Sequence, residues 1–397
     1  MLVSNTYHLT YCTNIHPGEN WELTRKSLEE YLPKIKAEVS EKEAFGIGLR
    51  LSDKASRELE LEDNLIKFKD WLDKNQLYVF TMNGFPYGNF HDEKVKDLVH
   101  APDWTTPERV AYTKRLFDQL AYLIPDAISG GISTSPISYK HWHKSASLTK
   151  KAFETGASNL TEIVMHLYEL EKRTGTYLHL DIEPEPDGLI ENSDEFIAFF
   201  RNYLIPIAGT ALMDNYSMTT TEADECIYRY ITMCYDICHF SLAFEEPSET
   251  FEKITSAGIK VGKIQVSAAL KVIYDEMKKE EIWESLASFN ESTYLHQVTE
   301  KKGNIVKTYN DLPIFIEERK DFSEVRVHFH VPIFLEQFDT LLSTQDTIVK
   351  VLEYMKENDV TEHLEIETYT WEVLPDALKT ELSDCVVREI AWLKNRL

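Results

Sequence analysis

The sequence predicts an α/β protein of the (β/α)₈ TIM-barrel class. Three observations carry this prediction: eight short β-rich runs recur along the chain, amphipathic helical stretches separate most of them, and 397 residues are enough for eight such units. Strands that alternate with helices indicate parallel βα units. The competing prediction is an open doubly wound sheet, which usually carries a glycine-rich phosphate turn after its first strand. Here that position reads TNIHPGEN.

Seven of the β-rich runs fall within the first 267 residues, and the eighth follows after a long gap. The gap contains two more β-like pieces, 292–298 and 325–331, and the polar turn KKGN. We therefore predict a single TIM-barrel domain over residues 1–397, with an insertion at about 270–345 between strands seven and eight. The eight predicted strands are residues 7–13, 44–51, 77–82, 127–134, 176–183, 230–237, 260–267 and 364–370.

The stretches between the strands show the helix period. Apolar residues return at i, i+3, i+4 and i+7, which gives each stretch one apolar face to pack on a sheet. The predicted helices are residues 21–39, 57–75, 107–124, 160–175 and 193–209.

The composition narrows the function classes. Lys and Arg number 42 and Asp and Glu number 67, which gives a formal charge of −25 and disfavours binding to nucleic acid or to anionic membranes. The 5 cysteines are odd in number and scattered, a reduced intracellular pattern. We see no secretory signal and no apolar run near the ~20 residues that span a bilayer. A cytoplasmic location and a small-molecule metabolite as the partner are therefore expected.

Strand five ends in the sequence HLDIEPEP. A period of two puts His179, Asp181 and Glu183 on one face, and the two prolines that follow end the strand at once. Charges inside a barrel are costly unless they are paired or bind a metal ion. Glu183 is therefore a candidate metal ligand and catalytic carboxylate at the barrel mouth, and a salt-bridged strand end is the alternative.

Strand eight offers a second carboxylate. Glu367 sits deep enough in LEIETYTWEVLP to face Glu183, and Trp371 shares its face as a candidate substrate contact. Paired carboxylates across a barrel mouth either share a proton or bind a cation. We expect Glu183 and Glu367 to be the catalytic pair, with a neighbouring Lys or Arg as the alternative partner of Glu367.

A D-x-x-H pattern follows strand six. Asp236 and His239 can reach one pocket from a strand-to-loop turn, and both residue types suit Zn²⁺ or Mn²⁺. A capping aspartate and a loop histidine are the alternative. Together with a histidine of the insertion, the predicted metal ligands are Glu183, Asp236, His239, His330 and Glu367. The expected cofactor is one divalent metal, Zn²⁺ or Mn²⁺, with Mg²⁺ as the other choice.

The insertion contributes three histidines. His328 and His330 alternate with apolar residues in VRVHFHV, so both imidazoles leave one face and can converge on a metal or flank it. His296 lies in YLHQV. We take His296 and His328 as candidate substrate contacts, and structural histidines are the alternative.

Four more residues are candidate substrate contacts from the other strand ends. His16 follows strand one, Asn83 follows strand three, and Lys140 lies in a local positive patch, SYKHWHKS, suited to a phosphate or carboxylate. Gln265 on strand seven can hydrogen-bond a substrate hydroxyl or a metal-bound water. The alternative for His16 is a helix-entry turn, and for the loop of Asn83 it is an apolar plug. The alternative for Lys140 is a solvated loop, and Gln265 could be a structural glutamine.

These motifs resemble two known groups. IEPEP is similar to the IEPKP strand of xylose isomerases, in which the first Glu binds metal; here Glu185 stands where that family has Lys. Glu on strand five, D-x-x-H on strand six and Glu on strand eight follow the order of the xylose-isomerase-like TIM-barrel superfamily (AP endonuclease 2 type), which includes sugar epimerases and the endonuclease IV enzymes. That superfamily commonly has a metal-binding His on strand seven, where this chain has Gln265, so His330 or His296 would have to substitute.

The chain also resembles the EboE family of metabolite traffic proteins over nearly its whole length. The matching motifs are HLTYCTNIHPGENW, ISTSPISYKHW, DIEPEPDG, YLHQV, VHFHVPIF and ETYTWEVLP. The resemblance implies a sugar isomerase- or epimerase-like barrel. It also implies partners encoded in the same gene cluster, among them a prenyltransferase-like membrane protein.

Three functions remain open from the sequence. The leading hypothesis is a metal-dependent isomerase or epimerase of a polyol-like or cyclitol-like metabolite. The second is a metal-dependent phosphoesterase with two or three ions, as in the endonuclease branch. The third is a non-catalytic carrier that binds a metabolite for a membrane partner.

Overall fold

The computed structural model describes residues 1–88, 96–291, 293–303, 305–368, 374 and 381–397. Fifteen strands lie in this part of the chain. They are β1 (Leu2–Val3), β2 (Tyr7–Tyr11), β3 (Phe45–Arg50), β4 (Leu77–Asn83), β5 (Gly130–Thr134), β6 (Leu178–Ile182), β7 (Ile231–Asp236), β8 (Val261–Val266), β9 (Ala268–Ile273), β10 (Val298–Lys302), β11 (Ile305–Tyr309), β12 (Glu324–Val331), β13 (Gln337–Phe338), β14 (Leu341–Ser343) and β15 (His363–Ile366).

Fourteen α-helices accompany the strands in the same ranges. They are α1 (Trp21–Val39), α2 (Asp53–Leu59), α3 (Asn64–Lys74), α4 (Pro107–Leu123), α5 (Ala146–Thr174), α6 (Ser193–Phe199), α7 (Ile205–Tyr216), α8 (Thr220–Tyr230), α9 (Ile237–Leu242), α10 (Pro247–Ser256), α11 (Lys279–Ala287), α12 (Leu312–Glu318), α13 (Gln345–Met355) and α14 (Leu382–Lys394).

Eight parallel strands form the first sheet, in the order β2-β15-β8-β7-β6-β5-β4-β3, and they lie at the eight predicted runs. β1 adds an antiparallel hairpin to β2. The seam between β2 and β3 is closed by side chains in place of a regular ladder. Thr10 Oγ1 accepts from Gly48 N at 3.0 Å and donates to Gly46 O at 2.8 Å, and Thr13 Oγ1 accepts from Arg50 N at 2.9 Å. The sheet is thereby nearly closed, as a barrel requires.

The helices differ from the predicted ones in three places. The predicted helix 160–175 is the second half of a longer helix, α5, which begins at Ala146. The predicted helix 57–75 is two helices, α2 and α3, separated by Glu62 with a φ of 53°. A left-handed residue cannot continue an α-helix, so the chain turns there. The predicted helix 193–209 continues to Tyr216 through a π-helical turn over Phe200–Leu204.

That continuous helix, Ser193–Tyr216, is the one described helix whose length and mean hydropathy of 1.4 would suffice to cross a membrane. Such a helix is weak evidence of a span, because core helices of soluble proteins pass the same test. In this fold 44% of its most apolar window is buried, and it packs against α5 and α8.

The chain between β8 and β15 forms a second, antiparallel sheet in the order β11-β10-β12-β9-β14-β13. β9 begins two residues after β8, and the end of β12 pairs with it at Val331 and Ala268. β12 therefore ends beside the carboxyl end of β8, at the mouth of the barrel. The predicted piece 325–331 lies within β12. Of the other piece, residues 293–297 form an irregular segment before β10, and residue 292 lies outside the described residues.

Candidate functional site

Glu183 follows β6 directly. Its backbone N–H donates to Thr134 O at 2.9 Å, which extends the β5–β6 ladder by one residue. Pro184 then ends the strand, so the carboxylate is held at the barrel mouth, where it is only 3% exposed. Its Oε2 accepts no hydrogen bond from the described residues. Burial, with Glu367 and Asp236 nearby, raises the pKa of Glu183 well above its ordinary value.

Glu367 follows β15 in the same way, with its N–H donating to Val266 O. Two amides hold one of its oxygens: Asn14 Nδ2 donates to Oε1 at 2.9 Å and Asn83 Nδ2 donates to it at 2.8 Å. This clamp fixes the orientation of the carboxylate and directs Oε2 elsewhere. Burial and the negative charge of Asp236 raise its pKa.

Asp236 is the last residue of β7 and the N-cap of α9. Its Oδ1 accepts from His239 N at 3.1 Å and from Ser267 Oγ at 2.7 Å. Its Oδ2 accepts no hydrogen bond from any residue that the structure describes, although Asp236 is fully buried. The capping role considered from the sequence is therefore real, and it leaves one carboxylate oxygen for a ligand.

Three imidazoles reach the same region. His239 Nδ1 donates to Pro184 O at 3.0 Å, His328 Nδ1 to Gln297 Oε1 at 2.8 Å, and His330 Nδ1 to Glu367 O at 2.9 Å. In each ring Nδ1 then carries the proton and Nε2 has the lone pair that a metal ion needs. Burial lowers the pKa of all three, that of His330 to about 4, so the rings are neutral.

The donor atoms form overlapping groups in which all atoms lie within 4.8 Å of one another. One group has three carboxylates, and the others combine imidazoles with a carboxylate or a thiol. The groups are Glu183, Asp236 and Glu367; Asp236, His239 and His330; Glu185, His239 and His328; and Cys238, His328 and His330. Buried oxygens of Glu183, Asp236 and Glu185 that accept no hydrogen bond from the described residues, beside neutral imidazoles, fit a divalent ion that accepts both donor types, such as Zn²⁺ or Mn²⁺.

A small cavity of about 60 Å³ opens beside these groups. Its polar lining includes the predicted Glu183 and Glu367 together with polar residues that were not predicted, and the rest of its lining is apolar. The lining residues are Asn14, Asn83, Phe85, Pro86, Lys96, Val99, His100, Glu183, Glu185, His239, Tyr294, Leu295, Gln297, His328 and Glu367.

Most of the lining residues were not predicted as site residues, and His100 and Glu185 are the two of them that lie side by side with ionisable groups. His100 Nε2 lies 3.5 Å from Glu185 Oε2, and both side chains are buried. Burial, with Arg109 nearby, lowers the pKa of His100 to about 3, so this imidazole is neutral. Glu185 stood in the quoted IEPEP motif and could have been found there. His100 is the last residue of a short 3₁₀ helix, Lys96–His100, before α4, where the sequence shows no pattern.

The structure leaves four of the predicted substrate contacts away from the cavity wall. His16 Nε2 and Tyr11 OH form a hydrogen bond of 2.8 Å. Lys140 pairs with Glu191 at 2.7 Å. His296 uses both ring nitrogens, on His328 O and on Glu291 Oε1, and so supports β12. Gln265 Oε1 accepts from Cys234 Sγ inside the barrel. Trp371 lies outside the described residues.

Glu389 on α14 accepts hydrogen bonds from both of the segments that carry His330 and Glu367. Its Oε1 accepts from Ile333 N at 3.1 Å, two residues after β12, and from Thr368 Oγ1 at 2.8 Å. Burial raises the pKa of Glu389 to about 7, although both hydrogen bonds lower it. The side chain is 1% exposed, so it acts on the site only through these two hydrogen bonds, to the Ile333 backbone and the Thr368 hydroxyl.

Glu389→Gln is expected to change the pH dependence of stability. A carboxyl with a folded pKa of about 7 and an unfolded pKa near 4.5 costs the folded state stability as pH rises through that interval. The loss reaches about 3 kcal/mol above pH 7. Urea unfolding should therefore show the variant to be more stable than the parent at pH 8 and similar to it at pH 5. The exposed control Glu249→Gln should follow the parent at both values, and equal stability of parent and Glu389→Gln at pH 8 would contradict the expectation.

Of the comparisons with known proteins, the one with solved structures bears on the fold. No family model matches the sequence, and no curated protein matches it. Two solved structures superpose on it with a TM-score of 0.50 each: a D-allulose 3-epimerase from Methylomonas sp. in complex with D-allulose, and a xylose isomerase-like TIM barrel protein from Mycobacterium smegmatis in complex with magnesium. The first is 10% identical and covers 100% of this chain and 99% of its own; the second is 11% identical and covers 100% and 98%. The chain has a xylose isomerase-like TIM-barrel fold.

Proposed function

We propose that the protein is a metal-dependent isomerase or epimerase of a small polyol-like or cyclitol-like metabolite with a carbonyl next to a hydroxyl-bearing carbon. The observation that carries the proposal is the cluster of Glu183, Asp236 and Glu367, whose oxygens lie within 4.8 Å of one another in a buried pocket. Three buried carboxylates at this spacing repel one another unless a cation or protons compensate them. Glu183, Asp236, His330 and Glu367 would hold the ion, with His239 beside them.

The two glutamates differ in a way that assigns them different tasks. Glu367 is fixed by the two amides of Asn14 and Asn83, which suits a carboxylate that stays in place as a ligand and positions the substrate. Glu183 keeps Oε2 without a hydrogen bond from the described residues, and its pKa is raised. Burial raises the pKa of both glutamates, which suits either to act as a base, so their hydrogen bonds make the difference. Glu183, which lacks the amide clamp, takes the proton from the carbon next to the carbonyl.

A divalent ion bound in this cluster would polarise the carbonyl and the neighbouring hydroxyl and so stabilise the enediolate of the substrate. Return of the proton by Glu183 to the former carbonyl carbon, with the hydroxyl proton passing to the former carbonyl oxygen, gives the isomer. Delivery of a different proton to the opposite face of the original carbon by a second group, while Glu183 keeps the abstracted proton, gives the epimer. The apolar wall of Phe85, Val99 and Leu295 excludes water, which strengthens these electrostatic interactions.

The fold of the D-allulose 3-epimerase supports the substrate class, because that protein binds a ketohexose in a barrel of the same kind. The motif resemblance to the EboE family supports the finer proposal that the metabolite belongs to a pathway that makes or moves a natural product. We propose a cytoplasmic location and a cooperation with other proteins of that gene cluster, including the prenyltransferase-like membrane protein.

Solvent deuterium exchange tests the proposal. Metal-loaded protein in D₂O should exchange the proton next to the carbonyl in at least one member of a panel of ketohexoses and keto-cyclitols, read by loss of its ¹H NMR signal. Chelation of the metal should stop the exchange, and re-addition of the ion should restore it. Absence of exchange with every member, from protein shown to carry its ion, would contradict the proposal.

A phosphoesterase is the second candidate function. The observation that favours it is the number of donor groups: imidazoles of β12 extend the carboxylate cluster toward a second ion, and in-line phosphoryl transfer uses two or three. Hydrolysis of bis(p-nitrophenyl) phosphate by metal-loaded protein, lost in Asp236→Asn, is the result expected of this candidate. No hydrolysis would contradict it.

A further inference from the structure

Glu185 is a buried carboxylate that the proposed reaction does not use. It lines the cavity and is 9% exposed, and its Oε2 accepts no hydrogen bond from the described residues. His100 Nε2 lies 3.5 Å from Oε2, and ring nitrogens of His239 and His328 lie within 4.8 Å of a carboxylate oxygen. Burial lowers the pKa of all three imidazoles, that of His100 to about 3, so these rings are neutral. Glu185 therefore has no positively charged partner among the described residues.

The loop that carries Glu185 is rigid. Pro184 and Pro186 flank it, and each fixes its own φ. The backbone N–H of Glu185 donates to Ile190 O at 3.1 Å, and its carbonyl oxygen accepts from Gly188 N at 3.0 Å. A carboxylate held in this way loses little conformational entropy when it binds a ligand.

The barrel mouth carries an excess of carboxylates. Glu183, Glu185, Asp236 and Glu367 are all buried there. Burial and the neighbouring carboxylates raise the pKa of the three glutamates. One divalent ion offsets two of the four negative charges, so protons or a further cation must offset the others.

The cations of the protein do not supply this charge. Among the described residues that line the cavity, Lys96 is the one Lys or Arg, and its Nζ lies 2.7 Å from Asp311 Oδ2. Lys263 is paired with Glu365 inside the barrel. Arg109 does not line the cavity and donates to three backbone carbonyls. The remaining negative charge thus favours a positively charged group on the substrate.

An acidic groove of about 520 Å³ adjoins the cavity, and His239 and Gln297 line both. In the described part of the chain five carboxylates line this groove, and no Lys or Arg does. The five are Asp187, Glu191, Asp194, Glu195 and Glu245. Lys140 and Lys253 pair with three of them from outside the lining, and the other two accept hydrogen bonds only from neutral groups of the described residues. Such a surface attracts cations and repels anions at the approach to the cavity.

We propose that the substrate carries a positively charged amino group, remote from the reacting carbonyl, and that Glu185 binds this group. The substrate class is then an amino-deoxy ketose or a keto-cyclitol with an amino group. The inference rests on the proposed function for the place of the carbonyl, at the ion between Glu183, Asp236 and Glu367. A hydrogen bond between charged partners is typically worth about 10- to 100-fold in affinity.

Calorimetric titration of the metal-loaded protein at pH 7 tests the inference. Three matched ligands are compared for each ketohexose of the exchange panel: the sugar, its 6-deoxy-6-dimethylamino analogue and its 6-phosphate. The tertiary ammonium group keeps its charge and cannot form a ring with the carbonyl. For at least one sugar the ammonium analogue should bind at least about 10-fold more tightly than the neutral sugar, and the phosphate more weakly than the neutral sugar.

A glutamine variant tests the assignment to Glu185. In Glu185→Gln the affinities for the ammonium analogue and the neutral sugar should lie within about threefold of each other. The exposed control Glu249→Gln should keep the preference of the parent. Metal content is measured on every sample, so that loss of the ion is distinguished from loss of the amine contact.

The outcomes separate the inference from the proposed function. Equal affinities for the ammonium and neutral ligands in the parent, or no binding of any ligand, would overturn the inference, while deuterium exchange into a neutral sugar would still support the proposed function. Tightest binding of the phosphate would overturn the inference and favour the phosphoesterase. A preference that persists in Glu185→Gln would overturn the assignment to Glu185. A preference that is lost in this variant, without deuterium exchange into any ligand, would support the amine site and overturn the proposed function. If Glu185→Gln does not fold, the three ligands compared on the parent still decide.

Discussion

Glu183→Gln is expected to abolish solvent deuterium exchange into the substrate. Glutamine keeps the size of the side chain and its place after β6, but it cannot accept the carbon-bound proton. A positioned general base contributes about 10²–10⁴-fold to such a step, so the exchange rate should fall by at least about that factor. The rate is measured by ¹H NMR in D₂O under saturating divalent ion, because the variant also loses one metal donor.

A surface carboxylate on the same chain supplies the control. Glu249→Gln in the first turn of α10 is exposed and should leave the exchange rate unchanged. Metal content is measured on the same samples, which separates loss of the base from loss of the ion. A Glu183→Gln protein that exchanges within about threefold of the parent would show that another group takes the proton.

Lys263→Met is expected to cause the largest loss of stability among the single substitutions considered. Lys263 lies inside the barrel, where its Nζ donates to Glu365 Oε2 at 2.6 Å and to Ser133 Oγ at 3.0 Å. Both charged side chains are 0% exposed. Removing one partner leaves an uncompensated buried charge, which typically costs about 3–5 kcal/mol. The free energy of unfolding, from urea denaturation, should fall by about that amount.

A double-mutant cycle separates the lost charge from the lost packing. Glu365→Leu in the Lys263→Met background removes the stranded carboxylate, so the double variant should recover most of the loss. The space for Glu365 depends on Gly48, since a side chain there would collide with its Oε1. A loss below about 1 kcal/mol in the single variant would show that Glu365 takes up a proton when its partner is gone.

The barrel could be predicted because its strands are buried on both faces. Every residue of β3, β4, β7 and β8 is buried, and such strands read as short apolar runs between turns. The second sheet was harder to predict. Its strands β13 and β14 are two and three residues long, too short to show a period. The break between α2 and α3 was also hard to predict, because it depends on one residue with a positive φ, Glu62.

The candidate metal ligands could also be predicted from the sequence. Glu183, Asp236 and Glu367 each stand where a parallel strand ends, and the carboxyl ends of these strands meet at one mouth. The hydrogen bonds that hold Glu367 could not be predicted in this way, because their donors, Asn14 and Asn83, come from two other strand ends. His100 reaches Glu185 only because the segment before α4 folds over the mouth, and no local pattern encodes that.

The proposed function requires a divalent ion at the barrel mouth, between Glu183, Asp236 and Glu367. Diffraction from crystals grown with Mn²⁺, measured near the manganese absorption edge, locates such an ion. We expect an anomalous peak among the oxygens of these three carboxylates, and no such peak in crystals of Glu183→Gln, Glu367→Gln. A barrel mouth without a peak in crystals of the parent protein, or manganese bound only elsewhere, would contradict it.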